Sequence, residues 1–201
     1  MKKLIVATYN KGKLNEIKSI LSNLPYEIIS LQELGCNIHV IEDEPTFRGN
    51  ALKKAIETMK LTGEIVMADD SGLEVSYLNG QPGVYSARFA GEGATDDENN
   101  AKLLDLLKDV PKSKRQAAFK CSIIMAYPDG TILESEGKCK GYITLSPRGN
   151  KGFGYDPIFK IAELGKTFAQ LDSVTKNEIS HRGRALRNLR KVLQKELIND
   201  I

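Results

Sequence analysis

The feature that most constrains the fold is a pair of long strand-like segments joined by a tight turn in the middle of the chain. Residues 116–127 and 131–144 are predicted as strands, and Pro128-Asp129-Gly130 between them is typical of a hairpin turn. A hairpin places antiparallel neighbours in the sheet, which interrupts the βαβ alternation of a purely parallel one. The sequence therefore predicts a mixed sheet in an α/β or α+β fold, and argues against a doubly wound fold.

Periodic apolar patterns on either side of the hairpin predict further strands and four helices. Gly63 is a typical C-terminal stop for the second helix, and Thr95 with Glu98 forms a capping box at the start of the third. Leu186, Leu189, Leu193 and Leu197 are predicted to face inward from the last helix. The predicted strands are 3–8, 26–30 and 64–68, with the sheet continuing at 73–77, and the predicted helices are 11–23, 46–62, 95–108 and 181–198.

Composition excludes several classes of protein. No apolar run approaches the ~20 residues of a transmembrane helix, and the apolar start is too short for a signal peptide, so we expect a cytoplasmic protein without a membrane partner. Three cysteines exclude a full disulfide framework, and two histidines are too few for a histidine-rich metal site. A metal would therefore bind carboxylates, which favours magnesium or manganese. A net charge of +3 is weak evidence for a nucleic-acid partner.

Two segments suggest phosphate and metal chemistry. Thr8-Tyr9-Asn10-Lys11-Gly12-Lys13 follows a strand and opens a helix, whose free N–H groups suit a phosphate; alone this signal is weak, and the alternative is a plain strand-to-helix turn with an asparagine in the bend. Asp69-Asp70-Ser71-Gly72 ends a strand, and two adjacent carboxylates are costly to bury unless they are paired or bind a metal. If that segment is extended, only one of the two faces a shared site; the alternative is an Asx-rich turn. Glu42, in a predicted acidic loop, would complete a magnesium site.

Three later segments are compatible with recognition of a planar base or with ordered loops. Gly152-Phe153-Gly154-Tyr155-Asp156-Pro157 exposes an aromatic face between glycines. Ser180-His181-Arg182 starts the last helix with basic residues that oppose the helix dipole, an unfavourable choice that suggests function. Pro82-Gly83-Val84-Tyr85-Ser86-Ala87-Arg88 is equally compatible with function and with an ordered surface loop.

Taken together, these segments resemble the inosine triphosphate pyrophosphatase family, over nearly the whole chain from Thr8 to Arg182. The similarity is greatest to the bacterial dITP/XTP pyrophosphatases. The matching motifs are Thr8-x-Asn10-x-x-Lys13, Glu42, Asn50-Ala51-x-x-Lys54-Ala55, Ala68-Asp69-Asp70-Ser71-Gly72-Leu73, Phe153-Gly154-Tyr155-Asp156 and Ser180-His181-Arg182.

The resemblance implies one two-lobed domain over residues 1–201, with an elongated mixed α/β sheet, flanking helices and the site in the cleft. It implies hydrolysis of noncanonical purine nucleoside triphosphates (ITP, dITP, XTP) to the monophosphate and pyrophosphate, with Mg²⁺ or Mn²⁺, by a homodimer. Asp70 would be the catalytic base and, with Glu42, a metal ligand. The implied substrate-binding residues are Thr8, Asn10, Lys13, Lys54, Ser71, Phe153, Gly154, Tyr155, Asp156, Lys176, His181 and Arg182.

The chain departs from the family pattern at three positions. Many members carry Gly where this chain has Tyr9, Gly where it has Glu44, and Glu where it has Gly49.

Two other functions compete with this interpretation. One is a Maf-like pyrophosphatase acting on pyrimidine or modified nucleotides, and the other is a non-catalytic nucleotide- or RNA-binding module that uses the basic C-terminal helix. The leucine stripe of that helix and an aromatic content of only 6% argue against the binding module.

Overall fold

The computed structural model describes residues 2–199 of the chain, with side chains for residues 2–194. The strands in this part are β1 (Lys2–Val6), β2 (Tyr26–Ser30), β3 (Ile65–Val75), β4 (Gln116–Ala126), β5 (Ile132–Ile143) and β6 (Phe159–Lys160). The helices are α1 (Lys11–Leu21), α2 (Phe47–Thr62), α3 (Asp96–Leu106), α4 (Ser173–Ile179) and α5 (His181–Asn199). Short 3₁₀ turns lie at Ser76–Leu78, Gly83–Arg88, Lys112–Lys114 and Phe168–Gln170.

The strands form a mixed sheet in the order β2-β1-β3-β4-β5-β6. β1 runs parallel to both β2 and β3, whereas β5 runs antiparallel to β6. Parallel pairs at one edge and an antiparallel pair at the other confirm the predicted α/β class with a mixed sheet.

The central hairpin is confirmed, with strand ends within one residue of the prediction. β4 and β5 are neighbours in the sheet and are joined by residues 127–131. Tyr127 N–H donates to Thr131 O at 2.9 Å, and Gly130 N–H donates to Tyr127 O at 3.0 Å. The Asp129 carboxylate accepts the Thr131 N–H at 2.8 Å, which closes the turn.

The chain divides into two compact units, and β3, β4 and β5 contribute residues to both. The first unit comprises residues 1–70, 121–137 and 181–201, and the second comprises 71–120 and 138–180. The first contains β1, β2, α1, α2 and α5, and the predicted leucines Leu186, Leu189 and Leu193 are buried in its core. Leu197 lies outside the residues whose side chains are described. The core of the second unit includes Phe119, Phe159 and Phe168.

Three predictions about local structure were wrong or incomplete. β3 does not stop before Asp69 but continues without a turn through Ser71 and Gly72 to Val75, because ladder pairing overrides the turn preference of Ser and Gly. α4 and β6 were not predicted, since each is too short for a hydrophobic period to be recognised.

Among the described residues, no helix has both the length and the apolarity to cross a bilayer.

The start of α5 is seated closely against β5. A Cβ atom at Gly137 would lie 2.0 Å from the His181 carbonyl oxygen and 2.6 Å from the Ala185 nitrogen, so only glycine fits there. Two residues earlier on the strand, the Ser135 hydroxyl donates to the Ala185 carbonyl at 2.7 Å. These contacts fix the first turn of α5, which carries His181 and Arg182.

Candidate active site

The two adjacent aspartates of β3 have different partners, as expected for neighbours in an extended strand. Asp69, 1% exposed, binds Lys13 and Arg182. Asp70, 6% exposed, accepts a hydrogen bond from Asn50 Nδ2 at 3.1 Å. One carboxylate is therefore neutralised by two cations, whereas the other is held by a neutral amide.

Asp69 is the centre of a buried ion network formed by Glu16, Lys13, Asp69 and Arg182. Its Oδ2 atom lies 3.2 Å from Lys13 Nζ and 3.1 Å from Arg182 Nε. Arg182 Nη1 also pairs with Glu16. Burial by itself would raise the pKa of Asp69, but the charges of Lys13 and Arg182 outweigh burial and hold that pKa well below its ordinary value. Asp69 is thus a permanently ionised structural anion.

Arg182 accounts for the unfavourable charge at the start of α5. Burial lowers the pKa of its guanidinium, yet Asp69 and Glu16 raise that pKa above the ordinary value, so the group stays protonated. The two carboxylates offset the repulsion from the helix dipole.

Cys121 lies beside the same network, its Sγ 4.0 Å from Asp69 Oδ2. Burial, and after it the charge of Asp69, raises the pKa of this thiol to about 12. That thiol is a poor nucleophile.

Asp70 lies in a different electrostatic environment. Burial raises the pKa of its carboxyl group, and the charge of Glu42 adds to that rise, while Lys13 and Lys54 oppose it. The net effect is a pKa above the ordinary value for aspartate. A buried carboxylate with a raised pKa is a better proton acceptor than an ordinary one, which is what a general base requires.

Glu42 is held beside Asp70 by the first turns of α2. It forms an ion pair with Lys54, whose pKa is lowered by burial but raised overall by Glu42, Asp69 and Asp70. Asn50 links the acidic loop to Asp70, because its Oδ1 accepts the Glu44 N–H at 3.0 Å while its Nδ2 donates to Asp70.

Glu42 and Asp70 fit a divalent cation bound through oxygen. Both side chains are hard oxygen donors, and their like charges interact unfavourably, a condition that a cation relieves. Among the described residues, no three His, Cys, Asp or Glu side chains are grouped around one position. Magnesium on a triphosphate needs only one or two protein carboxylates, since phosphate and water oxygens supply its other ligands.

The turn before α1 has the geometry of an anion-binding helix start. Asn10 Oδ1 caps the helix by accepting the Lys13 N–H at 3.0 Å, and Thr8 Oγ1 accepts the Asn10 N–H at 3.1 Å. The Tyr9 hydroxyl ties this turn to the acidic loop, since it accepts the Ile38 N–H at 2.9 Å and its ring stacks on His39. Thr8 and Asn10 thus shape the turn, and the helix dipole and Lys13 supply its positive potential.

The departures at Glu44 and Gly49 are complementary. A Cβ atom at Gly49 would lie 2.8 Å from Glu44 Cβ and 3.1 Å from Thr46 Oγ1, so the side chain of Glu44 occupies the space that a larger residue 49 would need. Thr46 Oγ1 still caps α2 by accepting the Gly49 N–H at 3.0 Å. Compared with the family pattern, the large residue lies at position 44 and the small one at position 49, so the same space is filled from the other side. The N-cap of α2 at Thr46 is retained.

The second unit contains a separate aromatic cluster formed by Phe153, Asp156, Phe168 and Lys176. Lys176 Nζ lies 2.6 Å from Asp156 Oδ2, 4.6 Å from the centre of the Phe153 ring and 5.8 Å from that of Phe168. Asp156 Oδ2 also accepts the Phe153 N–H at 2.9 Å. The aspartate thus fixes the loop while the lysine lies against the rings, and the Phe153 side chain remains partly exposed.

The structure groups the predicted residues within each unit. Tyr155 is buried and its hydroxyl donates to Ser86 O at 2.8 Å, so it supports the loop instead of presenting its hydroxyl to solvent. His181 is also buried. The predicted residues of the first unit are Thr8, Asn10, Lys13, Glu42, Lys54, Asp70, His181 and Arg182, and those of the second are Ser71, Phe153, Gly154, Tyr155, Asp156 and Lys176.

Two residues to which the sequence analysis assigned no individual role belong to the site. Glu16 is the second partner of Arg182, and Asn50 is the hydrogen-bond donor to Asp70. Asn50 carried a readable signal, because it opens the matched motif Asn50-Ala51-x-x-Lys54-Ala55, and the structure adds that it is buried and needs a polar partner. Glu16 carried none, since an exposed-looking glutamate on a helix is ordinary.

Comparison with known proteins gives one consistent result. The model of the Ham1 family matches residues 4–192. The dITP/XTP pyrophosphatase of Desulforamulus reducens is 49% identical over 197 residues, covering 98% of each chain, and that of Geobacter sulfurreducens is 52% identical over 92% of this chain and 94% of its own. The Ham1 protein of Staphylococcus aureus, 42% identical, superimposes with a TM-score of 0.87 over 97% of this chain and all of its own. With the fold and the acidic motifs in place, the chain belongs to the Ham1 family.

Proposed function

We propose that the protein hydrolyses the noncanonical purine nucleoside triphosphates ITP, dITP and XTP to the monophosphate and pyrophosphate. The observation that carries this proposal is Asp70: a buried carboxylate with a raised pKa, beside Glu42 and two lysines. Its setting in a Ham1-family chain about half identical to dITP/XTP pyrophosphatases supports the substrate class.

Charge neutralisation is the main requirement for cleaving a triphosphate. Lys13, Lys54 and the start of α1 provide positive charge on the side of Asp70, and Lys176 is assigned to the phosphate as well. Glu42 and Asp70 would hold a magnesium ion, which when bound adds further neutralisation of the phosphate oxygens. Manganese has the same preference for oxygen ligands and is the expected substitute.

Asp70 accepts the proton of the attacking water in this proposal. Its raised pKa makes it a better proton acceptor than an ordinary aspartate, and Asn50 holds one carboxylate oxygen so that the other is oriented. The buried, protonated thiol of Cys121 argues against covalent attack by cysteine.

Base recognition is assigned to the aromatic cluster and to α5. Phe153 offers a ring face for stacking, fixed from behind by Asp156 and Lys176. His181 and Arg182 would bind the 6-oxygen of hypoxanthine or xanthine. Adenine carries an amino group at that position, so these donors would be left unpaired, which discriminates strongly in a dry pocket. Ser71 and Gly154 complete the assigned substrate contacts, and Tyr155 supports the loop after Phe153 through its hydrogen bond to Ser86.

The quaternary structure and the domain organisation are also proposals. We infer a single two-lobed domain that functions as a homodimer, on the basis of the family resemblance alone. Size-exclusion chromatography with light scattering tests the dimer directly.

The deciding experiment is pyrophosphate release, with magnesium, from ITP, dITP, XTP, ATP, GTP, CTP and UTP. We expect fast release from the first three and little from ATP, with the Asp70→Asn variant as the inactive control. Release confined to the pyrimidine nucleotides would retain the chemistry but replace the purine assignment with a Maf-like one. No release from a folded protein at any metal concentration would leave a nucleotide-binding module as the better interpretation.

A further inference from the structure

One face of α3 is polar although it is packed against protein. Asn99 and Asn100 are 3% and 4% exposed, and Asp96, which is exposed, lies one turn before Asn100 on the same side. Buried amides in a helix cost free energy unless their hydrogen bonds are recovered. The partners of these three residues therefore indicate what the face does.

Asn99 holds the segment that follows the 3₁₀ turn at Gly83–Arg88. Its Oδ1 accepts the Ala90 N–H at 2.8 Å, and its Nδ2 donates to Ala87 O at 3.2 Å. One side chain thus binds both ends of a short stretch of backbone. The motif at residues 82–88 is therefore an anchored segment of the second unit.

Asp96 and Asn100 hold both backbone groups of Gly154. The Gly154 N–H donates to Asp96 Oδ2 at 2.6 Å, and Asn100 Nδ2 donates to the Gly154 carbonyl at 3.0 Å. Gly154 has φ +61°, a left-handed conformation that only a glycine adopts easily, so its two flanking peptides would turn readily without these bonds. The pair fixes the backbone immediately after Phe153.

Asn100 is not explained by stability alone. Its Oδ1 is buried without a hydrogen-bond partner among the described residues, and reversing the amide would set Oδ1 against the Gly154 carbonyl. An apolar residue would avoid this cost. A locally unfavourable residue that holds a loop is typical of a functional requirement on that loop.

The two anchored segments are also joined to each other, and α3 is fixed at its far end. The Tyr155 hydroxyl donates to Ser86 O at 2.8 Å, linking the loop after Phe153 to the 3₁₀ turn. Past the C-terminus of α3, the buried Arg115 guanidinium donates to the carbonyls of Leu107 and Val110. The helix is therefore held at its C-terminal end and supports both loops through side-chain hydrogen bonds.

We propose that Asp96 and Asn100 are positioning residues for base binding, because they set the backbone of Gly154 and with it the orientation of the Phe153 ring. This inference rests on the proposed function, in which Phe153 stacks on the base. It assigns a role in nucleotide affinity to α3 residues that touch no part of the proposed substrate. The chemistry at Asp70 does not depend on them.

The test compares Asp96→Ala with Asp96→Asn and Asp97→Ala. Asp96→Ala removes the acceptor for Gly154, Asp96→Asn retains an acceptor oxygen, and Asp97→Ala removes an equal charge from the same helical turn. We expect Asp96→Ala to raise the KM for ITP about tenfold, the loss of one charge-assisted hydrogen bond, with kcat nearly unchanged. Asp96→Asn should recover most of the affinity, and Asp97→Ala should match the wild type.

Amide hydrogen exchange over residues 152–156 supplies a readout that needs no substrate. Asp96→Ala should speed exchange there, whereas the other two variants should not. Unchanged exchange, or an unchanged KM in an enzyme that hydrolyses ITP, would overturn the positioning role. If the wild type hydrolyses none of the nucleotides, the proposed function fails, and with it the role in base binding, while faster exchange in Asp96→Ala would still identify the Gly154 anchor.

Discussion

Arg182 and Asp69, 113 residues apart in the chain, form a buried ion pair in which Arg182 Nε donates to Asp69 Oδ2 at 3.1 Å. Both side chains are almost inaccessible to solvent, and Lys13 and Glu16 are the outer members of the same network. The pair joins α5 to β3 inside the first unit. It makes the position of His181 and Arg182 depend on the residue next to the proposed catalytic base.

The Asp69→Asn variant should be strongly destabilised. Removing one carboxylate leaves Lys13 and Arg182 with an uncompensated buried charge, which costs roughly 3–5 kcal/mol of unfolding free energy. Urea denaturation measures the loss. Asp43→Asn is the matched control, since Asp43 is exposed and a surface ion pair such as the one it forms with Lys53 contributes little to stability. Equal effects of the two substitutions would contradict the central role of Asp69.

The destabilisation should depend on pH in a defined direction. The pKa of Asp69 is lowered in the folded protein, so its contribution to stability is complete above the ordinary aspartate pKa of about 3.9. That contribution is lost as the pH falls through the lower folded value. The stability difference between wild type and Asp69→Asn should therefore be full at neutral pH and shrink below about pH 4.

Asp70→Asn should abolish turnover while preserving the fold. An amide cannot accept the proton of water, and a positioned base contributes about 10²–10⁴-fold to rate. Burial disfavours the ionised carboxylate of Asp70, so replacing it with a neutral amide should not destabilise the folded protein. The urea midpoint should therefore fall little or even rise. Near-normal pyrophosphate release from the variant would exclude Asp70 as the base.

Asn50→Ala should shift the acidic limb of the pH–rate profile. The hydrogen bond from Asn50 lowers the pKa of Asp70, against the larger opposing effect of burial, so its removal raises that pKa further. Asp70 is active as the carboxylate, and the limb of kcat/KM should therefore move to higher pH. Asn188→Ala, which removes an exposed amide from α5, should leave the limb in place. A shift to lower pH would show that Asp70 is not the titrating group.

Phe153→Ala should raise KM more than it lowers kcat. Stacking of an aromatic ring on a base is worth about 1–3 kcal/mol, which corresponds to roughly 5- to 150-fold in affinity. Tyr77→Ala, a substitution of an exposed aromatic in the same unit, is the control. An unchanged KM for ITP would remove the stacking role.

Gly49→Glu and Glu44→Gly should be non-additive. Alone, Gly49→Glu places a Cβ atom 2.8 Å from Glu44 Cβ, and overpacking of that kind costs about 1–3 kcal/mol. With Glu44→Gly also present, Thr46 and a glutamate at 49 can form a capping box, so the double variant should regain the loss. A double-mutant cycle by urea denaturation measures the coupling, and additive effects would show that the two positions are independent.

The parts of the fold that could be predicted are those encoded locally. The hairpin turn at Pro128–Gly130, the C-cap at Gly63 and the capping box at Thr95 depend on residues within a few positions, and they agree with the structure. The continuation of β3 through Ser71 could not be predicted, because the strand's neighbours decide it.

The candidate site, like the fold, could be predicted only where the signal lies within a few residues. Two carboxylates in sequence identified Asp69 and Asp70 as important, and the alternation of an extended strand predicted their different surroundings. Their separate roles, however, depend on Glu16, Asn50 and Arg182, which lie far away in the chain. No local pattern marks Glu16, because the partner that gives it a purpose is 166 residues distant.

The glycine at 137 has a consequence for how this lineage can evolve. Its Cβ position is already occupied by the backbone of α5, so every mutation of that codon that changes the amino acid pushes the first turn of the helix away from the strand. We therefore expect position 137 to tolerate no residue but glycine, although it takes part in no chemical step. In a saturation library selected for nucleotide turnover, it should be as invariant as Asp70, and drift in nucleotide preference must proceed through other positions.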